Sequence, residues 1–334
     1  QKPHVGEIAS SLRDALPDRW GRRVLLHEMT GRSGADLQED GLDEMALMLA
    51  SGSDRIGALD FQSSAQTYEP RGGGEATLEE LQEFADFVAA GKPVPPALDR
   101  VILHGSSIGG ARPKALLDDP KSKRKLIAKF SASNDVISMV KAEALAMRLA
   151  AFAGLRVAPV DVVEVAGRDV ILVERFDRAV APQEGGLMTR RAMVSALTWS
   201  GEAELSAHHI AYTDLAEILR KSARDPKRDL RELYRRMVFN ILVGNTDDHA
   251  RNHAAFWDGK FLDLTPAYDV APQPRGSREA NQALNIVPGH RRSLLVTCLD
   301  AASAFLMSRE VAREEIEHLI EAVRKHWSEA CDAV

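Results

Sequence analysis

Asp247, Asn252 and Asp269 have the types and the spacing that phosphoryl transfer needs. The Asn lies five residues after the first Asp, and the second Asp follows a short hairpin that turns at Asp258-Gly259. In such a set one carboxylate orients or deprotonates a hydroxyl, while the amide oxygen and the other carboxylate hold Mg2+ against the phosphates of a nucleotide. The chemistry implied is that of an ATP-dependent kinase. Read more plainly, Asn245, Thr246 and Asp247 are polar cap and loop residues, and Asp269 caps a turn before Pro272. A third reading takes Asp247, Asp248, His249 and His253 as the ligands of a metal-dependent hydrolase.

Three further features would serve a nucleotide. The glycines of Gly105-Ser106-Ser107-Ile108-Gly109-Gly110 would let backbone N–H groups approach phosphate oxygens. By itself the segment also fits an ordinary turn. It is neither G-x-G-x-x-G nor a Walker A loop, since Lys114 follows Pro113 with no Ser or Thr after it. Lys129 sits in an apolar run, Leu126–Phe130, where its charge needs a partner. A phosphate and the carboxylate of Glu143 on the next helix would supply one, as would plain exposure on a strand's solvent face. Val173–Arg178 reads as a hinge whose backbone meets adenine and whose Asp177 reaches a ribose hydroxyl, or equally as a charged linker held by ion pairs.

These groups need elements to position them. Residues 7–60 look mainly helical from the spacing of Ile8, Leu12 and Leu16 and of Leu42, Met45 and Leu49. Gly72-Gly73-Gly74 reads as a linker, and Leu78–Ala90 as a helix with Leu78, Leu81, Phe84, Ala85 and Val88 on one face. Val101–His104, Lys114–Leu117 and Lys125–Phe130 read as strands, with the Gly-rich turn between the first two. A helix is expected over Ser138–Gly154, with Leu145, Leu149 and Phe152 on its apolar face. Val160–Val165 and Asp169–Glu174 pair around Ala166-Gly167-Arg168. After Arg178 helices are expected over 188–199, 213–221, 229–243 and 309–328. The hairpin Ala254–Trp257 with Lys260–Leu264 interrupts them, and Pro272–Arg292 is expected to be a loop. A strand-rich half followed by a helix-rich half implies an α+β fold of two lobes.

Composition narrows the function classes. A chain of 334 residues, 45% hydrophobic and 28% charged, suits one large or two ordinary globular domains. A net charge of −6 argues against a broad nucleic-acid face and against direct binding to a membrane surface. The two cysteines, Cys298 and Cys331, do not form a disulfide pattern, so a reducing cytoplasm is expected. No apolar run is long enough to span a bilayer. The start, Gln1-Lys2-Pro3, has no apolar signal core and no Met, so a native start further upstream is expected.

Taken in order, the Gly105–Gly110 segment, Lys129, Glu143, the run Val173–Arg178, Asn245–Asn252 and Tyr268-Asp269 resemble the HipA family of bacterial toxin kinases. Leu16-Pro17-Asp18 and Asp54–Leu59 look like that family's N-terminal subdomain. The resemblance implies a bilobal, protein-kinase-like α+β fold, with residues 1–98 as part of the N-terminal subdomain and linker. Residues 99–177 would then be the nucleotide-binding lobe and 178–334 the helical catalytic lobe. It implies a Mg2+- and ATP-dependent serine/threonine protein kinase, with an aminoacyl-tRNA synthetase as the kind of target. Asp247 would be the catalytic Asp, and Asn252 and Asp269 would take the metal. Lys129, Glu174, Phe176, Asp177, His249, Ser107, Ile108 and Gly109 would bind ATP, with Glu143 in support. Ser107, or its neighbour Ser106, would be autophosphorylated, adding a charge of about −1.5 to −2 that could expel the loop. The partner implied is a small DNA-binding antitoxin, so that DNA is met only through it, with no membrane involved. Larger members have further residues at the start, so the resemblance implies either that the sequence is cut there or that a separate small protein supplies that piece. Two other readings stand beside this one: a non-enzymatic subunit acting through an antitoxin on DNA, and a kinase of a small molecule such as an antibiotic.

Overall fold

The computed structural model describes residues 8–30, 43–72, 75–107, 110, 112–119, 122–131, 135, 137–180 and 188–334. The chain forms two compact units: Leu12–Val140 with Asp161–Arg191, and Lys141–Val160 with Ala192–Val334. Both helices and antiparallel sheets are present, so the α+β class read from the sequence holds.

The first unit is built on a four-stranded sheet. Its strands are β1 (Lys114–Asp119), β2 (Arg124–Phe130), β3 (Val160–Val165) and β4 (Arg168–Glu174), in the order β1-β2-β4-β3. Along β2 burial alternates, so that Leu126, Ala128 and Phe130 are buried while Ile127 and Lys129 are only half-buried. That period-two pattern is what one covered sheet face produces. The covered face packs against Trp20, Val24, Leu81, Phe84 and Val88 from the helices Arg19–Thr30 and Leu78–Ala90. The second of these helices follows its sequence signals closely. Thr77 accepts from the Glu80 N–H, Glu80 returns the bond to the Thr77 N–H, and Gly91 ends the helix with φ 63°. The β3–β4 hairpin turns on Ala166 (φ 49°) and Gly167 (φ 75°), the two left-handed residues that a tight primed turn requires. Two shorter strands, β5 (Arg178–Val180) and β6 (Met188–Arg190), form a separate antiparallel pair.

The second unit is mainly helical. Its central helix, Pro226–Val243, starts at Asp225, whose carboxylate accepts from the Arg228 N–H, and stops at Gly244 (φ 75°). It buries Leu233, Tyr234, Met237, Val238 and Phe239, each worth about 1.5–3 kcal/mol when fully withdrawn from water. Helices Tyr212–Ser222 and Arg309–Asp332 pack on it. A small sheet of β7 (Met193–Ser195), β8 (Ala254–Trp257) and β9 (Leu262–Leu264) completes the unit.

Several expectations are corrected. Val101–His104 is not a strand: Pro96–Val101 is a 3-10 turn and Ile102–Ser106 continues as helix. So short an apolar run does not distinguish the two states, and a proline at the first position favours a helical start. The Gly-rich segment therefore begins within a helix, at Gly105 and Ser106, and no strand precedes it there. Residues 188–199 are two short strands leading into a one-turn helix, Ala196–Ser200. In the helix Met139–Phe152 the buried stripe is carried by Ala144, Met147, Leu149 and Ala150, while Phe152 is 40% exposed and stacks on His326. Trp257 and Trp327 are 42% and 51% exposed. Leu42, Gly73 and Gly74 lie outside the described residues.

Candidate active site

Asp247 sits on the loop that leaves the central helix. Gly244 closes the helix, with its N–H donating to the Asn240 and Ile241 carbonyls. Asn245 then donates its own N–H to the Asn240 carbonyl at 2.9 Å. From there burial alternates: Asp247 and His249 face outward, and Asp248 between them is buried. The loop ends in a 3-10 turn, Ala250–Asn252. Asn252 is buried, and its amide nitrogen donates to the Asp247 carbonyl at 3.3 Å. That bond occupies the nitrogen and leaves the amide oxygen as the atom available to a cation.

Asp269 is brought to the same place by a different route. Arg236, buried in the central helix, donates to the Thr265 carbonyl at 2.7 Å. Ala267 bridges to residues 156–158 by backbone bonds of 2.7 and 2.9 Å. Tyr268 donates its hydroxyl to the Arg251 carbonyl at 2.6 Å, tying the residue before Asp269 to the loop that carries Asn252. Asp269 itself holds φ 58°, a left-handed backbone that a non-glycine residue adopts at a cost. Its charge is felt at Asp247. Burial raises the Asp247 carboxyl most, and the like charges of Asp269 and Asp248 add to this against the lowering effect of His249. Carboxylates gathered this way favour a proton or a divalent cation, and an aspartate with an asparagine oxygen is a donor set suited to Mg2+.

Asp248 and His253 do not join such a set. They face each other in the interior, and among the described residues no three His, Cys, Asp or Glu side chains are grouped as a metal would need. The hydrolase reading with four ligands is thereby corrected.

In the first unit, Lys129 lies on the half-buried face of β2 directly across from Lys114 on β1. Side chains at opposed positions share a face, so Lys129 shares its face with Lys114, which is itself 7% exposed. Lys114 carries no motif of its own in the sequence, and only the strand register reveals it. Its Nζ also lies against Gly110 (φ 101°), where an added Cβ would come within 2.2 Å of it. Gly110 is fixed by Asp18, which accepts its N–H at 2.7 Å. Ile108 and Gly109 lie outside the described residues. Ser106 is fully buried; its hydroxyl donates to the Leu103 carbonyl at 3.1 Å and accepts from the Gly52 N–H at 3.0 Å. Ser107 is 4% exposed, and its hydroxyl has no partner among the described residues.

The Val173–Arg178 segment is held by charge. Glu174 is half-exposed beside Arg124, at 3.3 Å; Phe176 is half-buried. Asp177 is buried and accepts from the Gly57 N–H at 2.7 Å, from Arg175 at 2.8 and 3.0 Å and from Arg178 at 2.8 Å. Burial alone would raise its carboxyl, but the two arginines outweigh that and hold it down. Asp177 is thus a node of an internal ion cluster, and its expected ribose contact is not carried forward. Asp54 completes the cluster, 2.8 Å from Arg178 and 3.1 Å from Arg175. Glu143 is buried on the helix Met139–Phe152.

Comparison with known proteins adds to this geometry. A family model described as HipA-like C-terminal domain matches residues 106–327. A putative kinase of Sinorhizobium fredii is 33% identical over 132 residues, which is 38% of this chain and 31% of that protein. The serine/threonine-protein kinase toxin HipA of Shewanella oneidensis is 30% identical over 141 residues, 38% of this chain and 33% of that protein. The aligned stretch thus spans about a third of the length of these two relatives. Among solved structures, Shewanella oneidensis HipA, determined with HipB and operator DNA, matches with a TM-score of 0.73. That match has 21% identity and covers 97% of this chain and 79% of the other. It establishes an α+β fold like that of HipA. No helix among the described residues is long and apolar enough to cross a membrane.

Proposed function

This chain belongs to the HipA family of toxin kinases, and on that premise we propose that it transfers the γ-phosphoryl group of ATP to a serine or threonine hydroxyl of a protein, in a Mg2+-dependent reaction. The observation that carries the proposal is the gathering of Asp247, Asn252 and Asp269 from two separate loops, with Asp269 close enough to raise the Asp247 carboxyl. Asp247 aims the acceptor hydroxyl and takes its proton as the new O–P bond forms and the bond to the ADP oxygen breaks. Asn252 and Asp269 would hold Mg2+, which when bound offsets the charge on the phosphates. Lys129 and Lys114 receive phosphate oxygens, and the Glu174–Phe176 backbone receives adenine. His249, exposed two residues after Asp247, is assigned to the nucleotide as well.

Between the two serines, Ser107 is the better acceptor for autophosphorylation. The Ser106 hydroxyl is already bonded on both sides, whereas that of Ser107 is not. Ser107 is also buried, so a phosphate there would place a charge of about −1.5 to −2 where it is poorly solvated and drive the segment outward. Following the relative solved with HipB and operator DNA, a small DNA-binding antitoxin is the proposed partner, and the cytoplasm the proposed compartment. An aminoacyl-tRNA synthetase remains the proposed kind of target.

The test is transfer of radiolabel from [γ-32P]ATP in a cell lysate, by the native protein and by Asp247→Asn. The variant should lose roughly 10²–10⁴-fold in rate. Equal incorporation would remove Asp247 from the mechanism. Label found only on a small molecule would favour an antibiotic-type kinase, and antitoxin and operator binding without any turnover would favour a non-enzymatic subunit.

A further inference from the structure

Asp248 and His253 are the immediate neighbours of Asp247 and Asn252, and their side chains meet in the interior. His253 Nε2 donates to Asp248 Oδ2 at 3.0 Å. The Tyr212 hydroxyl donates to the same oxygen, and Asn240 Nδ2 supports the Tyr212 oxygen at 3.3 Å. Asp248 and His253 are each 2% exposed and Tyr212 1%. Burial and the adjacent Asp248 charge both raise the Tyr212 phenol, so it stays a donor. On its far side the Asp248 carbonyl accepts from the Leu284 N–H at 3.2 Å.

We propose that this Tyr212–Asp248–His253 link is a clasp that sets the spacing between Asp247 and Asn252, making the three of them positioning residues for phosphoryl transfer. The proposal rests on the kinase reading above. Its physical basis is connectivity. The bond from residue 248 to residue 253 spans the short loop that carries both functional side chains, and within the same loop Asn252 donates to the Asp247 carbonyl. Withdrawing a carboxylate, a phenol and an imidazole from water costs more than apolar packing of the same volume would. Filling space therefore does not account for these residues, whereas a fixed, directional link does. Groups standing behind a metal site in this way typically change metal affinity or rate by roughly 10- to 100-fold when removed.

His253→Leu, His253→Gln and Tyr212→Phe test this. Each is measured by steady-state kinetics, by Mn2+ titration followed by EPR with a non-hydrolysable ATP analogue, and by hydrogen exchange over residues 244–253. His253→Leu should lower kcat and weaken Mn2+ binding, each roughly 10- to 100-fold, and speed exchange in the loop. His253→Gln, which keeps an N–H near the Nε2 position, should recover most of the loss. Tyr212→Phe should move all three readouts the same way by less. A folded His253→Leu protein with native values overturns the clasp, and so do equal deficits in the Leu and Gln variants, which would mean ring packing. Should His253→Leu fail to fold, native values in Tyr212→Phe overturn it alone. Loss of Mn2+ binding and of exchange protection in the variants, with no phosphoryl transfer by the native protein, would sink the kinase reading and leave the clasp standing.

Discussion

Replacing Asp54 with Asn should destabilise the first unit by roughly 2 kcal/mol at neutral pH, and the loss should shrink in acid. The Asp54 carboxylate lies 2.8 Å from Arg178, 3.1 Å from Arg175 and 3.3 Å from Lys125. Burial would raise it, but these three cations pull it from 3.8 down to about 2. At about 1.4 kcal/mol for each pH unit that difference contributes about 2 kcal/mol, and the side chain, 26% exposed, is buried enough for little of this to be screened. The direction follows from the depressed value. The stability is fully present above 3.8 and is lost as pH falls through about 2. The gap between native and Asp54→Asn proteins should therefore be constant from pH 7 to 5 and fall by about half at pH 3. Urea unfolding at each pH measures it, with the buried indole of Trp20 reporting on this unit. A difference below about 0.5 kcal/mol at pH 7, in the range of an ordinary surface substitution, or one that does not change between pH 5 and 3, would refute the reasoning.

Other predictions concern nucleotide binding and the backbone. Lys114→Ala and Lys129→Ala should each raise the KM for ATP roughly tenfold or more, the cost of a charge-assisted hydrogen bond; an unchanged KM for Lys114→Ala would detach that residue from the phosphates. Ala166→Gly should stabilise the protein by roughly 0.5–1 kcal/mol, because Ala166 holds φ 49° in an exposed turn that glycine adopts without a Cβ penalty. A lower Tm in that variant would contradict it.

The sequence was most legible where local chemistry dictates structure. Helix ends were read well, since Gly91 and Gly244 stop two helices where expected, whereas the second of these starts at Pro226, three residues before the expected 229. The Asp247 loop could be placed because Gly244 ends a helix whose apolar face is plain. Val101–His104 failed because so short an apolar run fits either state. The face of Met139–Phe152 failed because alanines, which weigh little in a hydrophobic pattern, carry its closest packing. What the sequence hid was mostly long-range. Lys114 is significant only because antiparallel register sets it across from Lys129. Tyr212 meets Asp248 from 36 residues away, a distance over which no spacing rule operates. Asp177 read equally as a ligand contact or an ion-pair member, and its arginine partners are visible only in the fold.

The path of the chain between its two units has a consequence for how the protein can be made. The polypeptide leaves the first unit after Val140, re-enters it at Asp161 and departs again after Arg191. Arg175 and Arg178, which anchor Asp54, are separated from it by more than 120 residues. During synthesis the N-terminal half must therefore wait, with a carboxylate destined for burial still hydrated, until the ribosome has released the later arginines. No single cut divides the gene into two self-sufficient halves. Fragments ending near residue 140 should emerge aggregation-prone, and coexpressed halves should regain solubility only by complementation.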